Sequence, residues 1–206
     1  MIPDEFVGVW RRESIAIGDG PPAEPCDVIW LQARSGFADL RLPRDGGADA
    51  VAFAGRTTWE APALTWHHHV SLEPPCADVG AVEWRGGRLV ERGAMVVGGE
   101  PATYEEVWAR LAPANLPLLV VTHDDDAGRC DATLVRVGAY ALVMGHTRAG
   151  FAARHDRLVD GRWTTAGLLG SGGLPSVPCI EPAWRPGQLV ELCGAPWRVR
   201  EVEPAA

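Results

Sequence analysis

Three groups of residues in this chain have the types and spacing to do chemistry. The first is the run His67-His68-His69. On an extended strand, residues two apart share a face. His67 and His69 then pair on one face, and His68 points to the other. Two imidazoles on one face are half of a zinc site. The remaining ligands would have to come from His123 or from Asp124-Asp125-Asp126, and no spacing ties these to the histidines. No metal is therefore assigned. The Asp run also fails as a calcium loop. Counted from Asp124, position 5 is Gly128 and position 12 is Val135, so the run reads as a hairpin turn.

The second group comprises charges interleaved with aromatics. Phe6, Gly8, Trp10, Arg12 and Ser14 share a face if residues 6–14 are a strand. Phe37, Asp39 and Arg41 share another, opposite Ala38, Leu40 and Leu42. Tyr104, Glu106, Trp108 and Arg110 share a third. In 63–72 the face of Leu64, Trp66, His68, Val70 and Leu72 is nearly all apolar, so His68 is expected to point inward. Together these faces give a candidate ligand site of Trp10, Arg12, Asp39, Arg41, Trp66, His68, Tyr104 and Glu106. Rings give stacking area and Arg gives a fixed charge, so the expected ligand is a small hydrophobic or anionic molecule. The alternative is that the same charges form internal salt bridges in an interior filled by its own side chains.

The third group is the five cysteines, Cys26, Cys76, Cys130, Cys179 and Cys193. They lie far apart, with no C-x-x-C and an odd count, so no disulfide framework is expected. With no signal peptide at Met1-Ile2-Pro3-Asp4-Glu5 and no apolar run near the ~18 residues of a membrane span, the expectation is a reduced cytoplasmic protein.

Composition narrows the chemistry further. The 206 residues carry a net charge of −8, which makes nucleic acid and anionic membranes unfavourable partners. All 19 basic residues are Arg. Without Lys there is no Schiff base, pyridoxal anchor or P-loop Lys. No G-x-S-x-G or G-x-G-x-x-G occurs, so no nucleophile elbow, cofactor or catalytic residue is assigned. The Arg, Ala, Gly and Pro bias suggests a GC-rich bacterial genome.

The elements that must position these residues are strands. Short apolar or alternating runs recur between Gly, Pro and Asp clusters, the pattern of an all-β protein. Strands are expected near 6–14, 28–32, 37–42, 50–59, 63–72, 79–85, 88–93 and 103–111. A second set is expected near 118–123, 132–137, 139–146, 151–158, 163–169, 189–193 and 197–203. Residues 103–112 have a short helix as their alternative. Arg85-Gly86-Gly87-Arg88 suits a tight hairpin. Pro113 to Pro117 brackets a break in the patterning. The division is thus 1–112 as a first barrel, 113–117 as a linker and 118–206 as a second, smaller or more open barrel.

Gly8-Val9-Trp10 resembles the G-x-W of lipocalin-type calycin barrels. In those a Trp closes the barrel base, often beneath an Arg of the last strand, which matches Trp108 and Arg110 here. A longer series is similar to the fungal Hri family: Ala52-Phe53-Ala54-Gly55, Asp78-Val79-Gly80-Ala81-Val82-Glu83-Trp84, Val90-Glu91-Arg92-Gly93-Ala94, Tyr104-Glu105-Glu106-Val107-Trp108 and Pro196-Trp197-Arg198-Val199-Arg200-Glu201-Val202. The match runs in order from about 50 to 203 and is patchy over 113–180. It implies two lipocalin-like antiparallel barrels side by side and brings no catalytic residues. The kinase interaction for which that family is named is not carried over to a bacterial chain.

The expected function is small-molecule binding in the first lumen. A protein-interaction module with filled barrels is the first alternative. A metal-independent acid–base enzyme, an isomerase or cyclase using Asp39, Glu106 or His68, is the second. The enzyme reading predicts a strongly shifted pKa inside a cavity.

Overall fold

The structure is a computed structural model that describes residues 2–44, 49–113, 117–181 and 183–203. A single 3-10 turn, Asp4–Phe6, precedes the first strand. Eight strands follow: β1 Gly8–Ile17, β2 Cys26–Gln32, β3 Phe37–Pro43, β4 Val51–Glu60, β5 Ala63–Ser71, β6 Ala77–Arg85, β7 Arg88–Val97 and β8 Glu100–Pro113. They pair antiparallel in sequence order, and β1 also pairs β8, so the sheet closes into a barrel. Seven more make a more open sheet: β9 Leu118–Asp124, β10 Cys130–Val137, β11 Tyr140–Thr147, β12 Gly150–Val159, β13 Arg162–Leu169, β14 Leu189–Leu192 and β15 Ala195–Glu203. Their spatial order is β13-β12-β11-β10-β9-β15-β14.

Each expected strand is present, and residues 103–112 are strand β8 rather than helix. The hairpin at Gly86 and Gly87 has φ of 56° and 78°, the left-handed pair that a two-residue turn between twisted strands needs. Asp125 Oδ1 accepts from the Ala127 and Arg129 amides, which builds the turn between β9 and β10. Of the expected linker, residues 114–116 lie outside the described residues.

The sheet packs on one side of the barrel, against β2, β3, β4 and β5. This explains why β2 is buried at six of its seven positions. One face lines the lumen and the other meets the sheet. A single apolar core accordingly joins Leu31, Ala38, Leu40 and Ala52 of the barrel to Leu118, Val120, Val135, Leu142 and Met144 of the sheet. The far face of the sheet has its own core, with Leu119, Val121, Leu134 and Val143 under Trp184 and Trp197. Strand β9 is thus covered on both faces, which is why it reads as an unbroken apolar run.

Two faces depart from simple alternation. A bulge between Arg12 and Ser14 resets the parity of β1, so Ile15 rather than Ser14 lines the lumen. Leu72 lies past the end of β5 and is 40% exposed, unlike buried Leu64, Trp66, His68 and Val70. Among the described residues no helix is long and apolar enough to cross a membrane, and all five cysteines are free.

Candidate functional site

The lumen of the closed barrel holds a cavity of about 450 Å³. Its wall is aromatic: Trp30 (β2), Phe37 (β3), Phe53 (β4), Trp66 (β5), Tyr104 and Trp108 (β8). Trp30 is the hub, with ring centroids 5.7 Å from Trp66 and 5.4 Å from Trp108, both edge-on. Its indole Nε1 is buried and has no hydrogen-bond partner among the described residues. Trp10 lies beneath it, stacked at 5.5 Å, and is not in the lining. It closes the barrel end: its Nε1 donates to the Phe6 carbonyl at 2.9 Å, and the Arg110 guanidinium lies 4.6 Å over its ring. The other end is rimmed by exposed Glu73, Cys76, Asp78, Ala94, Met95 and Val96.

Charged groups from four strands converge inside. Arg41 Nε donates to Asp39 at 2.9 Å and its Nη1 to Glu106 at 3.3 Å. Arg12 donates to the same Glu106 oxygen and, through Nε, to Glu24 at 2.8 Å. Of the expected site residues, Asp39, Arg41, Trp66, Tyr104 and Glu106 line the cavity. Arg12 is buried behind Glu106. His68 is buried in the wall, its ring stacked 4.1 Å from Phe53.

Sorting the earlier strands into faces misses Glu91 on β7. Its carboxyl accepts from Tyr104 Oη at 2.7 Å and from Trp108 Nε1 at 3.2 Å. Burial, then the nearby Glu106, pushes its pKa from 4.5 up to about 8, with Tyr104 and Arg41 opposing. Burial and Glu91 together raise the Tyr104 hydroxyl as well. Burial also raises Asp39, against the pull of Arg41. The Arg41 cation pays for its own burial through Asp39 and Glu106, and its pKa is raised. Two glycines admit these groups. A Cβ on Gly80 would lie 2.6 Å from Glu91 Cγ, and one on Gly93 would lie 2.5 Å from Tyr104 Oη. Gly80 and Gly93 are themselves cross-strand partners, and Gly93 also pairs with Tyr104. The sequence signal for Glu91 was its place two residues from both Leu89 and Gly93, on the inward parity of β7.

Around the rim, His68 on β5 faces the start of β6. Cys76 Sγ lies 3.3 Å from His68 Nδ1, and Asp78 Oδ2 lies 3.3 Å from Nε2. Contact with His68 holds the Asp78 carboxyl below its usual range. Burial, then Asp78 and Glu73, pushes the Cys76 thiol up. His67 is half-buried beside Thr58, 3.2 Å away, and His69 is exposed, both on the outer face.

A second cavity of about 340 Å³ lies at the seam of barrel and sheet, between Leu40, Leu42, Tyr140 and His155. Burial, reinforced by Arg157, lowers the His155 pKa to about 4.

The family described as Protein HRI1 matches residues 8–201 of the chain. Among solved structures, the crystal structure of the uncharacterized protein YLR301w from Saccharomyces cerevisiae is similar. It has a TM-score of 0.71 and 16% sequence identity, covering 95% of this chain and 98% of that one. At that identity the likeness shows the fold. No curated protein matches the chain.

Proposed function

The chain belongs to the HRI1 family, and we propose that it binds a small organic molecule in the lumen of its closed barrel. The observation that carries this reading is the cavity of about 450 Å³, walled by aromatic rings and entered from one rim. That volume suits a ligand of modest size, and polar groups converging among apolar walls are the usual make-up of such sites. A buried indole N–H without a partner, at Trp30, supports an occupant that brings an acceptor. An open lumen of this size favours ligand binding over an interaction module with filled barrels.

Charge favours a neutral or cationic ligand over an anionic one. The lining has four carboxylates, Asp39, Glu73, Asp78 and Glu106, a fifth carboxyl, Glu91, that keeps its proton at neutral pH, and one guanidinium, Arg41. Arg41 and the buried Arg12 behind it are both already paired with carboxylates. An anion would displace those partners, whereas an amine would meet spare carboxyl oxygens and ring faces.

The test is native mass spectrometry of the purified protein against its denatured mass, with thermal shifts for benzylamine and benzoate as matched probes. The reading expects a mass lost on denaturation or a rise in Tm with benzylamine. Ala94→Phe, which plugs the rim, abolishes either signal. An apo mass with no shift from either probe refutes it.

Glu91 supports a second reading, an acid–base enzyme. A carboxyl with a pKa of about 8 is protonated at neutral pH and can donate a proton inside the cavity. Here Glu91, rather than Asp39, Glu106 or His68, is the acid. Turnover of a bound ligand that Glu91→Gln stops, with binding retained, distinguishes this reading from simple binding.

A further inference from the structure

We propose that His68, Cys76 and Asp78 form a binding site for one divalent transition-metal ion at the rim of the barrel, with zinc the best-matched ion. The proposal does not depend on the lumen's ligand.

Backbone pairing places the three side chains together. Trp66 faces Asp78 and His67 faces Ala77 across β5 and β6. The His68 amide donates to the Cys76 carbonyl at 2.9 Å, which carries the same register one step further. Residues opposite each other on antiparallel strands project to the same side. Cys76 and Asp78, two apart, therefore project with His68 towards the lumen mouth, while His67 and His69 project outward. The three donor atoms lie within 4.8 Å of one another.

The imidazole itself points to an occupant. The His68 side chain is only 4% exposed, and among the described residues its buried Nε2 makes no aligned hydrogen bond; the group it faces is its ion-pair neighbour Asp78, with Oδ2 3.3 Å away. Nitrogen and oxygen donors at about 2.0–2.1 Å from a tetrahedral ion are themselves about 3.3 Å apart. The spacing is thus that of two ligands sharing an ion. Phe53, stacked on the ring at 4.1 Å and 13°, fixes its plane. The Cys76 sulfur sits nearer Nδ1, and this exposed side chain reaches the ion by turning about its Cα–Cβ bond.

Donor chemistry selects the ion. Nitrogen, sulfur and oxygen together suit zinc, whereas magnesium and calcium take oxygen ligands. Glu73 and Asp78 surround the thiol with negative charge, which attracts a cation. On binding, the thiol gives its proton to solvent and the sulfur bonds to the ion. Three protein ligands leave a fourth position, open to the cavity that Cys76 and Asp78 line.

The experiment is a titration of the full chain with Co²⁺ and Zn²⁺, followed by absorbance and by equilibrium dialysis. One equivalent is expected, with a thiolate-to-cobalt charge-transfer band in the near ultraviolet that zinc removes. Cys76→Ser is expected to abolish the band, and Asp78→Asn to weaken binding by about 10-fold or more. Both positions are exposed, so both variants should fold. Cys193→Ser, in the turn between β14 and β15, keeps the wild-type result. No uptake, uptake unchanged in Cys76→Ser, or uptake lost instead in a His67→Ala, His69→Ala double variant would each overturn the proposal. Fast alkylation of Cys76 by iodoacetamide with no metal uptake overturns it too, and marks the cluster as a nucleophile with its base.

Discussion

Replacing Glu91 with Gln should change how the stability of this protein depends on pH. In the folded chain the Glu91 pKa is about 8, against 4.5 for the free side chain. Between those values the folded state holds a proton that the unfolded state has released. Stability therefore falls as pH rises from about 4.5 to about 8 and is level beyond, because the stabilisation is complete only below the unfolded pKa. A shift of that size corresponds to roughly 3–5 kcal/mol at about 1.4 kcal/mol per pKa unit. Gln keeps the shape and the contacts. Its amide oxygen accepts from Trp108 Nε1, and its amide nitrogen donates to Tyr104 Oη once the hydroxyl turns round. The assay is urea unfolding by tryptophan fluorescence at pH 5 and at pH 8.5, for both proteins. Asp39, the cysteines and the histidines are present in each, so the difference of the two pH differences isolates Glu91. It should be a few kcal/mol, with the wild type losing more on going to high pH. Parallel pH profiles would refute the assignment of a buried, protonated carboxyl.

Acid should act through a different residue. Burial lowers His155 to about 4, so its contribution is intact above pH 6.5 and lost as pH falls towards 4. His155→Gln should move the acid-unfolding midpoint to lower pH, and an NMR titration should find no His155 protonation near 6.5. Gly93→Ala puts a Cβ 2.5 Å from Tyr104 Oη. It should cost about 1–3 kcal/mol and move the tyrosine off Glu91, read as a lower Tm and a changed near-ultraviolet circular dichroism. Gly55→Ala puts a Cβ 1.9 Å from the His67 carbonyl oxygen, beside the bulge of β4. Backbone cannot give way as a side chain can, so the loss should exceed about 4 kcal/mol, seen as insoluble or unfolded protein on expression.

The strands were legible because Gly, Pro and Asp punctuate short alternating runs. The inward parity of Asp39, Arg41, Tyr104 and Glu106 was legible for the same reason. Four things were not. Trp30 sits in a strand buried on both faces, so no polar face marked which way the indole points. Glu91 lies next to Arg92 on a strand whose outer face carries charges, and reads like one of them. The pairing of Gly80 with Gly93, which makes room for Glu91 and Tyr104, is a register across strands that one sequence does not display. Cys76 was read only as an isolated thiol, because its neighbour His68 is brought to it by the β5–β6 pairing.

The sheet backs β2, β3, β4 and β5, and these staves carry Trp30, Phe37, Phe53 and Trp66. Glu91, Tyr104 and Glu106 stand on β7 and β8, whose outer faces meet solvent at Arg88, Arg92 and Thr103. Mechanically such a barrel should act as a clamp with one braced jaw and one compliant jaw. The braced jaw carries Trp30, Phe37, Phe53 and Trp66 with Asp39 and Arg41, and the compliant jaw bears Glu91, Glu106, Tyr104 and Trp108. Amide protons of β2–β4 should exchange only with opening of the whole molecule, while those of β6 and β7 should exchange by local opening. A guest would then be gripped by the compliant jaw closing onto one that does not yield.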